Sequence, residues 1–310
     1  MTALALSPDH TYLAVGHAHG HIYLYQLDTT PPPPPPAKSS RSSSSTAPVG
    51  GLSVPTRTAL PVQLSAALAG KREGHLVGAR IVHLGFVGKR HTAIVSGDEQ
   101  GMAFYHSLGR VLGVDSTDIL RVLGSYPVPA QPPSLDPAAP RTKTPAPTTL
   151  YATSPLPLGS HPSDAYQLCA LVTPTKLVIV GLKPSPRTWF RKLRERPTSA
   201  SASSESLDGT GGGVWRTARA GVNPLLAYWW AGVVRFVSVR VVEVDDDGAA
   251  TTRAVGKGGA GSADAVRRVE FPDAGRWEAE GLIHGVEWLN DNVSRLSLSL
   301  LLLRYLCASI

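Results

Sequence analysis

The sequence predicts an all-β chain, folded as an incomplete β-propeller of about four blades and interrupted by long disordered Pro/Ser/Gly-rich insertions. Three observations carry that prediction. Residues 80–105, RIVHLGFVGKRHTAIVSGDEQGMAFY, hold three short apolar runs separated by glycine-bearing turns, the pattern of an antiparallel meander. The same layout occurs in residues 1–27: placing Gly20 on Gly101 also places Gly16 on Gly97, Leu13 on Ile94 and Ala14 on Val95. Finally, the 30 glycines and 27 prolines of the 310 residues concentrate near 28–74, 127–163, 197–213 and 245–263. Roughly 190 residues then stay foldable, about four units at the 40–45 residues of a WD40-like blade.

Taken in order, residues 1–27 are the first blade, with TALALSP, YLAVG and HIYLYQL as its strands. Residues 28–74 are a disordered insertion. It contains Pro31–Pro36 and a serine run at 39–45, and polyproline II is its expected conformation because proline fixes φ and removes the donor. Residues 75–126 are the second blade, with strands at 80–87, 91–96 and 102–106 and an outer strand at 119–126. Gly97 and Gly101 bound its second turn, where positive φ is expected at both ends.

Residues 127–163 read as a disordered Pro-rich loop and 164–196 as the third blade. In the latter, DAYQLCALVTPTKLVIVGL is a hairpin turning at Thr173-Pro174-Thr175 and forms the inner part of the blade. RTWFRKLRER, at 187–196, carries five basic residues against one glutamate. It reads as a solvated outer strand or short helix, or else as a basic aromatic patch for an acidic partner or a membrane surface. Residues 197–213 are a disordered loop.

Residues 214–292 are the fourth blade and the start of a fifth. Leu225–Trp230 is one strand, and 233–244 reads as another because only Arg235 and Arg240 interrupt it, as in a strand covered on both faces. The outer strand is expected at 266–271, and the opening strand of the fifth blade at 281–289. The expected core comprises Val82, Leu84, Phe86, Ile94, Val95, Phe104, Leu171, Val178, Val180 and Trp229. Residues 293–310 form an atypical tail, LSLSLLLLRYLCASI at its end, too short and too interrupted by Arg304 for the ~20 apolar residues of a membrane span. Val293-Ser294 can be encoded by the usual splice-donor sequence, so the tail is expected to be intron read-through. An arc lacking blades would also leave apolar faces uncovered and fold poorly alone.

The residues argue against catalysis. Cys169 and Cys307 lie in no C-x-x-C or zinc spacing, and Cys169 reads as a buried strand residue in a reducing compartment. The first residues lack a basic region and a long apolar core, so no signal peptide is expected. His17, His19 and His21 recur at alternate positions, but Gly20 breaks the strand between them and a polar turn is the better reading than a metal site. Gly211-Gly212-Gly213 and Gly256-Lys257-Gly258-Gly259 lack the order of a P-loop, and Asp245-Asp246-Asp247-Gly248 reads as a solvated turn. No catalytic, cofactor-binding or metal residue is therefore assigned, and the binding residues are unknown. A net charge of +7 favours anionic surfaces only where it clusters; neither nucleic acid nor a small-molecule substrate is expected.

The segment 75–126 resembles the N-terminal propeller of the vacuolar protein sorting-associated protein 8 family, most tellingly in IVHLGFVGKRHTAIVSGDEQGMAF. LCALVTPTKLVIVGLKPSPRTWFRK, Tyr228-Trp229-Trp230 and Gly285-Val286-Glu287-Trp288-Leu289 are similar in the same order. The resemblance implies a noncatalytic subunit of the CORVET complex, which tethers endosomal membranes before fusion and serves endosome-to-vacuole sorting. It implies an early-endosomal Rab GTPase and other tether subunits as partners, and a cytoplasmic place on the periphery of endosomal or vacuolar membranes. The family's α-solenoid and RING finger have no counterpart in this sequence, and no short Rab-binding motif transfers a residue to it. Read without the resemblance, the Pro-rich and Ser-rich loops would suit a signalling adaptor for SH3 or WW modules.

Overall fold

Short runs rich in Val, Ile, Leu and aromatics, cut by Gly, Pro and Asp turns, become strands because branched side chains fit a pleated, half-buried surface. The computed structural model describes residues 1–27, 62–63, 74–89, 92–111, 114–125, 149–195, 210–216, 222–244, 250–251, 266–279, 281–288, 293–298 and 304–307. The first sheet contains β1 (Ala3–Leu6), β2 (Tyr12–Gly16), β3 (Ile22–Gln26) and β4 (Val62–Gln63) in that order. The second contains β5 (Ile81–Phe86), β6 (Ala93–Asp98), β7 (Ala103–Val111) and β8 (Val114–Leu123), again in chain order. The third follows the same rule with β9 (Ala152–Pro155), β10 (Leu168–Val172), β11 (Lys176–Gly181) and β12 (Arg187–Leu193).

The fourth sheet starts with β13 (Gly211–Arg216), β14 (Leu225–Trp230) and β15 (Val233–Ser238). The chain then leaves it to build a separate three-stranded sheet from β16 (Arg240–Val244), β17 (Ala250–Thr251) and β18 (Val266–Glu270). It returns with β19 (Asp273–Glu278) as the fourth strand. A fifth radial sheet holds β20 (Ile283–Trp288), β21 (Val293–Leu298) and β22 (Arg304–Cys307). The first strands of successive sheets adjoin in the series β1, β5, β9, β13, β20. Meandering sheets whose first strands succeed one another around a centre are the blades of a β-propeller.

The core lies between blades, and the strand period of two decides which residues face which neighbour. Ala14, Ile22 and Leu24 meet Ile81, Phe86 and Ile94. Val95, Ala103 and Tyr105 meet Cys169, Leu171, Val178 and Val180. Leu168, Ala170, Leu177 and Ile179 on the other face of the third blade meet Trp215, Leu226, Tyr228 and Trp230. Leu225, Ala227, Trp229 and Phe236 meet Ile283 and Val286. Of the ten expected core residues, eight are buried; Val82 and Leu84 are half-buried, because β5 is an inner strand with one side toward the centre.

The repeat has a physical basis at its two glycines. Gly20 and Gly101 hold φ of 82° and 77° in their turns, a conformation that costs glycine nothing. Gly16 and Gly97 are strand residues instead, which corrects the expectation of a turn at Gly97. A Cβ on Gly16 would lie 2.7 Å from Ile81 Cγ2, and one on Gly97 2.3 Å from Leu150 Cδ2. Each therefore admits the inner region of the next blade.

Four boundaries differ from the sequence reading. The third blade begins at β9, inside the stretch taken as loop 127–163, so the hairpin β10–β11 is its middle and not its inner part. β13 occupies the glycine run taken as the end of loop 197–213. A Cβ on Gly211 would strike the Tyr151 ring at 2.2 Å and one on Gly212 the Trp229 ring at 2.3 Å; the run is there to let aromatic rings approach. The apolar stretch 233–244 divides at Val239, and its second half pairs with β18, so the outer strand of the fourth blade is β19. β4 lies inside the stretch taken as insertion 28–74 and pairs with β3. Residues 293–298 and 304–307 of the tail pair as β21 and β22, and Asp245-Asp246-Asp247-Gly248, Pro31–Pro36 and 256–259 lie outside the described residues.

Candidate interaction surfaces

The strongest polar constellation is buried in the second blade. Asp98 ends β6, Ser96 lies two residues earlier on the same strand, His106 lies on β7, and His75 precedes β5. Asp98 Oδ2 is 2.8 Å from His75 Nδ1, His75 Nε2 is 2.7 Å from Ser96 Oγ, and Ser96 Oγ is 2.7 Å from His106 Nε2. Asp98 Oδ1 also accepts from the backbone N–H of Gln100 at 3.0 Å and Met102 at 2.9 Å, closing the turn into β7. Burial, then the neighbouring His75, pushes His106 down to about 3.

One proton arrangement suits all these atoms. His75 donates from Nδ1 to Asp98 and accepts at Nε2 from the Ser96 hydroxyl, while Ser96 accepts from His106 Nε2–H. The lone pair left on His106 Nδ1 is the atom without a partner.

The order Asp98–His75–Ser96 is the connectivity of a catalytic triad. Ser96, Asp98 and His106 are nonetheless wholly buried, His75 is 1% exposed, and a second histidine already occupies the serine oxygen. No substrate carbonyl can reach Ser96 Oγ, so the geometry is a brace for the turn and the strand that follows it. Phe104 stacks edge-on against His75 at 4.6 Å and seals the cluster. Cys169 is equally sealed, and burial pushes its thiol upward, away from nucleophilic use. The backbone of His17 and His21 bonds across the turn between β2 and β3, and the His17 ring stacks on Tyr23 at 5.1 Å.

What remains for chemistry is surface. A cleft of about 460 Å³ opens where the turns after β1, β5 and β9 converge, lined by Pro8, Phe86, Lys89, Pro155 and Leu158 among others. The first blade turns Leu4 and Leu6 away from the second, each about half exposed at 50% and 51%. The third blade places β12 last in its sheet, so the basic segment 187–196 begins as an outer strand. There Arg187 lies over the Trp189 ring, 3.7 Å from its centroid. The carboxylate of Glu195 is taken by Arg235 at 2.5 Å and Arg276 at 3.7 Å, both from the fourth blade. That ion pair ties the rims of two blades together.

The family model described as the Vps8 β-propeller matches residues 1–296. The chain belongs to the Vps8 β-propeller family. A comparison with curated proteins finds no match. Among solved structures, the chain is similar to the β-propeller domain of Myceliophteria thermophila Cps50 (Swd1), at 10% identity and a TM-score of 0.46, covering 96% of this chain and 66% of that one. It is also similar to the WD40 domain of SCAP from fission yeast, at 11% identity and a TM-score of 0.36, covering 70% of this chain and 39% of that one. The chain thus spans less than two thirds of either structure's length.

The Vps8 match spans the first four radial blades and reaches into the fifth, so the segments that carried the resemblance are parts of one propeller. No residue was assigned a catalytic or metal role from the sequence. The residue that reading missed is His75, whose partners lie 21 and 23 positions away. Its signal was the dipeptide Gly74-His75, the G-H that opens a WD40 repeat. No helix among the described residues is long and apolar enough to cross a membrane.

Proposed function

We propose that the chain is the noncatalytic propeller scaffold of an endosomal tethering-complex subunit, acting in endosome-to-vacuole sorting and membrane fusion. The observation that carries this reading is the Vps8 propeller match over residues 1–296. Burial of the triad-like constellation in the second blade supports a structural rather than a chemical role for that blade. The mechanism is display. Rigid blades hold clefts, rims and loop ends at fixed spacing, and many modest contacts across a complex multiply through avidity. Its partners are the other tether subunits and an early-endosomal Rab GTPase, met at the periphery of the endosomal or vacuolar membrane.

The test is capture of the chain by early-endosomal Rab loaded with GTP or GDP, alongside imaging of the tagged protein at its native level. Preferential capture by the GTP form and punctate endosomal signal are expected. Equal capture by both forms with diffuse signal would overturn the reading.

A further inference from the structure

We infer that the outer strand of the third blade, β12, is a contact surface for anionic lipid headgroups. The inference rests on the proposed peripheral association with a membrane and names the surface that makes contact. The strand is last in its sheet, and among the described residues no strand pairs with its outer edge. Arg187 and Arg191 are exposed on it, and Lys192 and Arg194 are half-buried. Among the described residues none of these four cations meets a carboxylate. Arg187 stacks on Trp189, Arg194 donates to the Pro174 carbonyl at 3.4 Å, and the adjacent Glu195 is consumed by Arg235 and Arg276. A run of like charge without acidic partners attracts anions, and the attraction weakens as salt rises.

The geometry selects the kind of anion. Register places Arg191 opposite Val178, on the flank facing the second blade, and Lys192 opposite Leu177, on the flank facing the fourth. The charges therefore splay to both sides of a strand that spans roughly 20 Å at about 3.3 Å per residue. Long basic stems from both flanks of an open edge can reach one plane lying along it, whereas they do not converge on a single phosphate. Leu193, between Lys192 and Arg194, is 59% exposed and adds an apolar contact suited to the headgroup boundary. An extended anionic bilayer fits these features better than an acidic protein, whose docking would need a packed apolar centre.

The experiment is flotation of the full 310-residue chain with phosphatidylcholine vesicles, with and without phosphatidylserine. Binding should require phosphatidylserine and fade as salt rises. Each cation near an anionic leaflet is worth roughly a fivefold gain, so Arg191→Gln with Lys192→Gln should weaken binding about 25-fold. Two comparison variants isolate the site. Arg80→Gln with Arg240→Gln, of equal net charge, should bind as the parent does, and Arg191→Lys with Lys192→Arg should keep binding. Equal loss in both glutamine pairs, or no requirement for phosphatidylserine, would overturn the inference. So would retention on poly-glutamate without vesicle binding, which would assign the strand to an acidic protein. Rab capture and vesicle flotation are separate readouts: capture without vesicle binding sinks the lipid surface alone, and the reverse sinks the tethering role alone.

Discussion

Replacing Asp98 by alanine tests the buried brace of the second blade. Asp98 is wholly buried and holds three groups: the N–H of Gln100, the N–H of Met102 and Nδ1 of His75, at 3.0, 2.9 and 2.8 Å. Gln100 is half-buried, so water can replace that bond. Met102 and His75 are buried and cannot recover their partner within the blade. A buried donor left unsatisfied costs about 1–3 kcal/mol, more when it faced a charged group. The sum for Asp98→Ala is about 3–6 kcal/mol, a large share of a domain's 5–15 kcal/mol. Asp98→Asn keeps an acceptor for the turn and should cost less, about 1–3 kcal/mol. Guanidinium unfolding followed by tryptophan fluorescence measures both. An unfolding free energy for Asp98→Ala within 1 kcal/mol of the parent would refute the brace.

Three further outcomes follow from packing and charge. Ile94→Asp places an unpaired carboxylate between the first two blades, where Ile94 is fully buried, and should destabilise by several kcal/mol in the same unfolding measurement. Equal melting would show that this blade interface is misassigned. Gly16→Ala puts a methyl 2.7 Å from Ile81 Cγ2 and 2.9 Å from its Cβ; overpacking of this kind should cost about 1–3 kcal/mol, and an unchanged melting temperature would contradict the close approach of β2 to β5. His106 is depressed to about 3 against 6.5 unfolded. The unfolded chain binds that proton first, so this contribution to stability is present above pH 6.5 and falls as the pH drops toward 3, by about 1 kcal/mol per pH unit. His106→Gln should flatten that slope in melting curves taken from pH 7 to pH 5, and an unchanged slope would place the titration elsewhere.

The middle strands of each blade were legible because they are buried on both faces. β10, β11 and β14 read as near-continuous Val, Ile, Leu, Ala and aromatic runs, and the structure buries nearly all of their residues. Two of the inner strands were not legible. β9 is ATSP and β13 is GGGVWR, and composition assigns such sequences to loops. Their conformation is set by neighbours, through the rings of Tyr151 and Trp229 over Gly211 and Gly212. The division at Val239 escaped notice for a related reason, since β15 and β16 share one apolar pattern while pairing in different sheets. His75 stood in plain view but gains meaning only when folding brings Ser96, Asp98 and His106 around it. The basic rim was visible as composition, and the structure adds that it is an edge strand whose one acid is already engaged.

The scaffold role itself is tested most directly by isolating the tagged chain from its native cells under mild salt and identifying what comes with it. Tether subunits are predicted to co-purify in constant proportion, and to do so equally with Asp98→Asn if that variant stays folded. Recovery of the chain without them, or with SH3 and WW proteins in their place, would contradict the account.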